Sequence, residues 1–255
     1  MADDLAFALA LADLADAVTL RRFRATDLVV ETKPDLTPVS EADREVERVL
    51  RERIEADRPG DALLGEEYGA TGDSARRWIV DPIDGTKNYV RGVPVWATLI
   101  ALQVEGSGTL GVAAAPALGR RWWARRGWGA YADGEPIHVS RVSDLKDAHF
   151  GYSSLTGWAA QGRLDGFLDL TRNCWRTRGF GDFWSHLLVA EGAVDVAAEP
   201  EVTLWDLAAI QVIVEEAGGR FTDLGGNATA DGGSAVSSNG LLHDATLRAL
   251  APDAG

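Results

Sequence analysis

A single cysteine, Cys174, occurs in 255 residues, so no disulfide can form within the chain. A disulfide-stapled scaffold is thereby excluded, and a reducing cytoplasm is the expected setting. No apolar run approaches about 18 residues, so no membrane-spanning helix is expected. Asp3 and Asp4 stand where a signal peptide would carry basic residues, so none is expected. Positive charge is scarce: 25 Lys and Arg face 39 Asp and Glu, a net −14. That sign repels a polyanion and argues against nucleic-acid partners. Internal repeats and low-complexity tracts are missing too.

What is present reads as one globular unit, with 46% hydrophobic and 25% charged residues. Helical spacing runs from about Leu5 to Arg24, followed by a short strand over Val29–Thr32 and a proline-interrupted loop over Lys33–Val39. Ser40 opens a second helix, with Val46, Val49, Leu50 and Ile54 on one face. Gly65 to Gly72 is turn-like. Trp78-Ile79-Val80 reads as a buried strand stopping at Asp81-Pro82. Strand, turn, strand follows over Val95–Val104 and Thr109–Ala115, and Asp133-Gly134 signals a hairpin before a strand over Ile137–Ser140. Beyond Asp144 the pattern alternates. Strands near Ala148–Tyr152, Val194–Ala198 and Arg220–Thr222 interleave with helices near Leu164–Leu170, Phe183–Glu191 and Leu207–Ala217, and a last helix covers Leu241–Leu250. A strand-rich part followed by an alternating one predicts layered helices and sheets.

Carboxylates adjoin structure-breaking residues in four places: Ser40-Glu41-Ala42-Asp43, Gly65-Glu66-Glu67, Asp81-Pro82-Ile83-Asp84-Gly85-Thr86 and Leu204-Trp205-Asp206. In the third, proline ends the ladder, so Asp81, Asp84 and the Ile83 carbonyl can turn toward one point. Gly85 and Thr86 then begin a helical turn whose N–H groups favour an anion. Carboxylate and carbonyl oxygens are the ligands Mg²⁺ prefers. Each piece also has an ordinary reading. Asp43 and Asp206 stand three residues after Ser40 and Thr203, as capping partners do, and Glu66-Glu67 alone would be a solvated turn. Only the joint arrangement points to chemistry.

Trp78-Ile79-Val80-Asp81-Pro82-Ile83-Asp84-Gly85-Thr86 resembles the first signature of the inositol monophosphatase family. Trp205-Asp206-Leu207-Ala208, continuing to Glu216-Ala217-Gly218-Gly219, resembles the second. The remaining acidic elements occur in the family's order, and the likeness covers nearly the whole chain. Lys87-Asn88-Tyr89-Val90-Arg91-Gly92-Val93-Pro94 and Gly179-Phe180-Gly181-Asp182-Phe183-Trp184 resemble the branch containing actinobacterial histidinol-phosphate phosphatases. The resemblance implies a five-layer αβαβα sandwich of the α/β class. Residues 1–143 would carry most metal ligands, and residues 144–255 would carry Asp206 and the substrate contacts, as one catalytic unit. It also implies two or three Mg²⁺ per site, with Mn²⁺ as a substitute, together with lithium inhibition and a homodimer. Glu66, Asp81 and the Ile83 carbonyl would hold one ion, and Asp81, Asp84 and Asp206 a second. Glu66 would touch a third through water. Thr86, paired with Asp43, would orient and help deprotonate the attacking water. Gly85 and Thr86 N–H groups would receive the phosphate, and Lys33 would lie near it.

Other phosphatase chemistries fail on spacing. Phe180 stands where a cysteine-dependent enzyme built on Cys174 needs arginine, and Asp81 and Asp84 do not form Asp-x-Asp. His138, His149, His186 and His243 lie in no phosphohistidine motif and read as plain core or surface residues. Gly179-Phe180-Gly181 lacks the third glycine of a dinucleotide loop. On the leaving-group side the resemblance points to Gly181, Asp182 and Glu199. Inositol-type relatives carry a small neutral segment after the position of Gly179, and Glu199 stands where the family places a substrate-facing carboxylate. A second acidic group suits a cationic amine or imidazolium such as histidinol carries; alternatively Asp182 merely caps the next helix. The leading expectation is a magnesium-dependent phosphatase for the small phosphomonoester L-histidinol phosphate. Inositol-1-phosphate or a sugar bisphosphate comes second, and a non-catalytic metal- or phosphometabolite-binding protein is the reading from another class.

Overall fold

A computed structural model describes residues 2–33 and 37–252. Part of the expected loop, Pro34, Asp35 and Leu36, lies outside the described residues. Helices α1 (Ala2–Arg22) and α2 (Glu41–Asp57) flank a two-stranded ribbon, β1 (Val30–Thr32) with β2 (Pro38–Ser40). Then come β3 (Ala62–Gly65), β4 (Gly69–Thr71), β5 (Arg76–Asp84), a short α3 (Thr86–Val90), β6 (Ala97–Val104), β7 (Ser107–Ala115), β8 (Arg120–Arg125), β9 (Gly129–Ala132) and β10 (Glu135–Ile137). These strands make an eight-stranded sheet ordered β10-β9-β8-β7-β6-β5-β3-β4, antiparallel except where β3 joins β5. The rest is β11 (His149–Tyr152), α4 (Leu164–Asn173), β12 (Arg176–Gly179), α5 (Asp182–Ala190), β13 (Val196–Glu199), α6 (Leu204–Glu216), β14 (Arg220–Thr222), β15 (Ala235–Ser238) and α7 (His243–Ala249). Its strands form a five-stranded sheet ordered β12-β11-β13-β15-β14.

Strand alternation builds the layers. On β5, Trp78 and Val80 point to the face covered by α1 and α2, and Ile79 points to the other. On β6, Ile100 and Leu102 join the first face, Leu99 and Ala101 the second. The second face packs on α5 and α6 through Phe183, Leu187, Ile210 and Ile213. Helices α5 and α6 are apolar almost all round because the second sheet closes over them, with Phe221 and Ala235 in the same cluster. That sheet's far face, Phe150, Val196, Ala198 and Val236, meets α4 through Phe167 and Leu170 and α7 through Leu247, with Leu250 just beyond it. The result is the expected sandwich: helices, sheet, helices, sheet, helices.

Four local expectations differ, the first being that the expected loop over Lys33–Val39 ends in β2, where Pro38 and Val39 pair with Thr32 and Glu31. The hairpin's second strand is Glu135–Ile137, not Ile137–Ser140, because the Asp133-Gly134 turn pairs Glu135 directly with Ala132. The turn-like Gly65–Gly72 segment contains β4, which pairs back on β3. And β5 does not stop at Asp81-Pro82. It continues to Asp84 through an irregularity that shapes the cleft below.

Candidate active site

Asp81 pairs with Leu99 of β6, whereas Asp84 pairs with Ala97. Pro82 and Ile83 therefore oppose Thr98 alone, which is a β-bulge. In a regular strand residues three apart face opposite sides; the extra residue brings Asp81 and Asp84 to the same side. Three hydrogen bonds pin the bulge. Ile83 N–H donates to Asp81 Oδ1 (2.9 Å), Thr98 Oγ1 donates to the Pro82 carbonyl (2.8 Å), and Phe183 N–H of α5 donates to Asp84 Oδ2 (2.8 Å). Gly85 follows at φ +83, and a Cβ there would sit 3.0 Å from the Val95 carbonyl and 3.1 Å from Asp182 Oδ2. Only glycine fits that corner.

Asp43 and Asp206 serve two purposes each. One oxygen of Asp43, Oδ2, accepts from the Ser40 N–H (2.8 Å) and hydroxyl (2.5 Å) at the start of α2. Its other oxygen, Oδ1, lies 3.2 Å from Thr86 Oγ1, which is also 3.0 Å from the Ile83 carbonyl. Asp206 Oδ2 likewise accepts from Thr203 N–H (2.7 Å) and hydroxyl (2.9 Å) at the start of α6. Capping and site roles are therefore compatible, since the cap fixes the carboxylate that the second oxygen presents. Ligand atoms of Asp81, Asp84 and Asp206 lie within 4.8 Å of one another. An all-oxygen donor set of this density could hold a hard divalent cation.

Glu66 lines the same cleft, but its carboxylate is turned to Lys33, whose Nζ lies 2.7 Å from Glu66 Oε1 and 2.6 Å from Glu67 Oε1. Lys33 is thus engaged by two carboxylates, which fixes it at the rim. Burial opposes its charge, and the two carboxylates outweigh that and raise its pKa. The turn carrying Glu66 rests on Glu47, which sequence reasoning passed over. Glu47, fully buried on α2, accepts the Glu67 N–H at Oε2 (2.6 Å) and the Tyr68 N–H at Oε1 (3.1 Å), and it pairs with Arg51. Arg51 in turn donates to the Gly69 carbonyl. A side chain at Gly65 would overlap the Glu47 carboxylate. The Glu47/Arg51 spacing of four was the available signal. Glu47→Ala strands a buried guanidinium and two N–H groups, so a loss of about 3–5 kcal/mol is expected in urea unfolding. A loss under about 1 kcal/mol would mean that the turn is held by something else.

The electrostatics follow from this packing. Burial, then Glu66 and Asp84, push the Asp81 carboxyl far above the carboxylate range. Burial, then Asp182 and Asp206, do the same to Asp84. Asp206, Glu66 and Glu67 are raised by burial as well. Asp43 reaches about 6 through burial, despite the Ser40 donors. Two carboxylates about 4 Å apart repel by roughly 4 kcal/mol at an effective dielectric of 20. The cluster therefore calls for cations or protons.

A cleft of about 350 Å³ is lined by Glu66, Asp84 and Asp206 together with Asp182, Glu199, His186 and Trp205. Asp182 does not cap α5: it is the helix's first residue, held at φ +47 after Gly181. Its N–H donates to Ser153 Oγ (2.9 Å), and its Oδ2 accepts from Asn88 Nδ2 (3.1 Å). A non-glycine residue in that backbone region is uncommon and strained, a condition that collects at working sites. Burial, then Glu199 and Asp206, raise the Asp182 carboxyl to about 6. Glu199, buried at the end of β13, accepts from Ser153 Oγ (2.6 Å). Ser153 and His186 support this wall without any local motif announcing them, and Asn88, in the Lys87–Pro94 run, supports it from the other side of Asp182.

The sequence matches the family model described as the inositol monophosphatase family over residues 1–252. The chain belongs to the inositol monophosphatase family. It is thus one of a family of phosphatases whose members depend on metal. A histidinol-phosphatase of Streptomyces coelicolor is 58% identical over 96% of each chain. Another, of Mycobacterium tuberculosis, is 59% identical over 97% of this chain and 98% of that one. Among solved structures, Thermotoga maritima IMPase superposes with a TM-score of 0.88 at 31% identity, covering 97% of this chain and 96% of that one. Among the described residues no helix is long and apolar enough to cross a membrane.

Proposed function

We propose that the chain is a Mg²⁺-dependent phosphomonoesterase acting on L-histidinol phosphate, releasing L-histidinol and phosphate. The observation that carries the hydrolase reading is the bulge that sets Asp81 and Asp84 beside Asp206, next to the Asp43–Thr86 pair. Bound there, Mg²⁺ would supply Lewis acidity, activating water and neutralising charge on the ester oxygens. Asp81, Asp84 and Asp206 would hold it, with the Ile83 carbonyl and a Glu66 released from Lys33. The Thr86 hydroxyl, donating to Asp43 Oδ1, leaves a lone pair to accept the proton of the attacking water. Asp43, at about 6, is a base matched to neutral pH. Gly85 and Thr86 line the cleft where the phosphate would lie. Attack by water in line with the leaving oxygen needs no phosphoenzyme. The lone Cys174 forms no disulfide within the chain, which suits a reducing cytoplasm.

The leaving group is read from the opposite wall. Asp182 and Glu199 offer two carboxylates to a cationic amine or imidazolium, where a neutral polyol would leave charge unpaired. Two relatives at 58% and 59% identity carrying the name histidinol-phosphatase support the same choice. Phosphate release with and without Mg²⁺ from L-histidinol phosphate, inositol 1-phosphate and fructose 1,6-bisphosphate tests it. Preference for histidinol phosphate by tenfold or more is expected, and an equal preference for a polyol overturns the substrate. In the same assay Asp182→Ala should raise KM for histidinol phosphate roughly tenfold, one charged hydrogen bond's worth, while sparing inositol 1-phosphate. Equal losses on both would refute the contact.

A further inference from the structure

We propose that His186 is a positioning residue for leaving-group recognition, holding Glu199 toward the cleft; this rests on the nitrogen-bearing substrate proposed above. His186 lies on α5 one helical turn after Asp182, so the two share a face. Its ring is 2% exposed and lines the cleft. Nδ1 lies 2.7 Å from Ser237 Oγ on β15. Nε2 lies 3.4 Å from Glu199 Oε1, has no full hydrogen bond among the described residues, and is shielded from solvent. A buried ring nitrogen left this way is costly, so it points to a use.

Glu199 has that need. Its carboxylate repels those of Asp182, Asp84 and Asp206, so it needs donors to hold it beside them. Against this stand Ser153, whose hydroxyl donates to Oε1 while its oxygen takes the Asp182 N–H, and the His186 edge beside the same oxygen. With Ser237 donating to Nδ1, the hydrogen sits on Nε2 and faces Glu199. A chain from Ser237 through His186 to Glu199 thus fixes one acidic wall of the leaving-group pocket. No phosphate- or metal-facing group takes part, so the effect falls on the substrate's nitrogen end alone.

The test compares His186→Phe, which keeps ring bulk but no nitrogen, with His186→Gln, which keeps an amide donor, and with Ser237→Ala. KM and kcat are measured for L-histidinol phosphate and p-nitrophenyl phosphate, and binding of L-histidinol by calorimetry in Mg²⁺ buffer. His186→Phe should raise KM for histidinol phosphate and Kd for L-histidinol tenfold or more, leaving kcat and p-nitrophenyl phosphate turnover within about twofold. His186→Gln should recover most of the loss, and Ser237→Ala should show the same split in milder form. Unchanged L-histidinol binding, or equal losses on both substrates, overturns the proposal while the substrate reading stands. Should His186→Phe fail to fold, the Ser237→Ala split decides, and its absence overturns the proposal. A parent enzyme that neither binds L-histidinol nor prefers its phosphate overturns both.

Discussion

Asp84→Asn should hydrolyse phosphomonoesters at least a thousandfold more slowly than the parent while melting, metal-free, at a higher temperature. The two effects come from one carboxylate in two relations. An amide oxygen can still accept the Phe183 N–H, so the link between the bulge and α5 survives. What disappears is a carboxylate charge that burial, then Asp182 and Asp206, make costly, so that the metal-free fold keeps the Asp84 carboxyl protonated far above its ordinary value. Asparagine needs no proton to sit there, so it avoids that cost, about 1.4 kcal/mol for each pH unit between the ordinary carboxylate value and the working pH. The same charge is needed to hold the cation, which in turn would neutralise the negative ester in the transition state, and a thousandfold loss corresponds to about 4 kcal/mol. A residue of purely structural value would lose stability and activity together. Calorimetric melting beside a phosphate-release assay separates the cases.

Metal-free protein should lose stability as pH rises from about 4 to 7, and divalent cation should restore it. Asp43 and Asp182 keep protons to about 6 in the folded chain, against an ordinary value of 3.8. Between those values the unfolded chain binds fewer protons than the folded one, so stability falls with increasing pH. Two pH units correspond to about 3 kcal/mol per group. Asp81, Asp84 and Asp206 act in the same direction. Glu31 and Glu45, lowered by hydrogen bonds from Arg44 and Arg48, work oppositely: their contribution holds above their ordinary 4.5 and fades as acid protonates them. The metal-free optimum should therefore fall near pH 4. At a Mg²⁺ concentration 100 times its Kd, binding to the folded state adds about 2.7 kcal/mol per site, or several degrees in Tm. Scanning calorimetry in chelator across that pH range checks this; a flat or rising metal-free profile would contradict it.

Much of this was legible in the residues. The order of helices and strands, the acidic elements and both family signatures could be placed without coordinates, because each rests on local spacing. The bulge could not, because proline suggests an end to the ladder, and only the partner strand shows that pairing resumes at Asp84. Nor could spacing decide between cap and site for Asp43 and Asp206, since the carboxylate's two oxygens satisfy both. Strand β12 is a polar edge, and β15 is only Ala-Val-Ser-Ser, so neither offers the alternation that marks a strand. The pairing of Lys33 with Glu66 and Glu67 was not legible either, since it is set by contacts more than thirty residues away. His186 read as a plain histidine because its partners, Ser237 and Glu199, come from two other strands.

The central claim is that this acidic knot exists to hold divalent cations. Crystals soaked in manganese and measured at its absorption edge test it most directly. An anomalous peak bounded by Asp81, Asp84 and Asp206, and lost in Asp84→Asn, is the predicted result. Manganese-soaked parent crystals with no peak there would contradict the account.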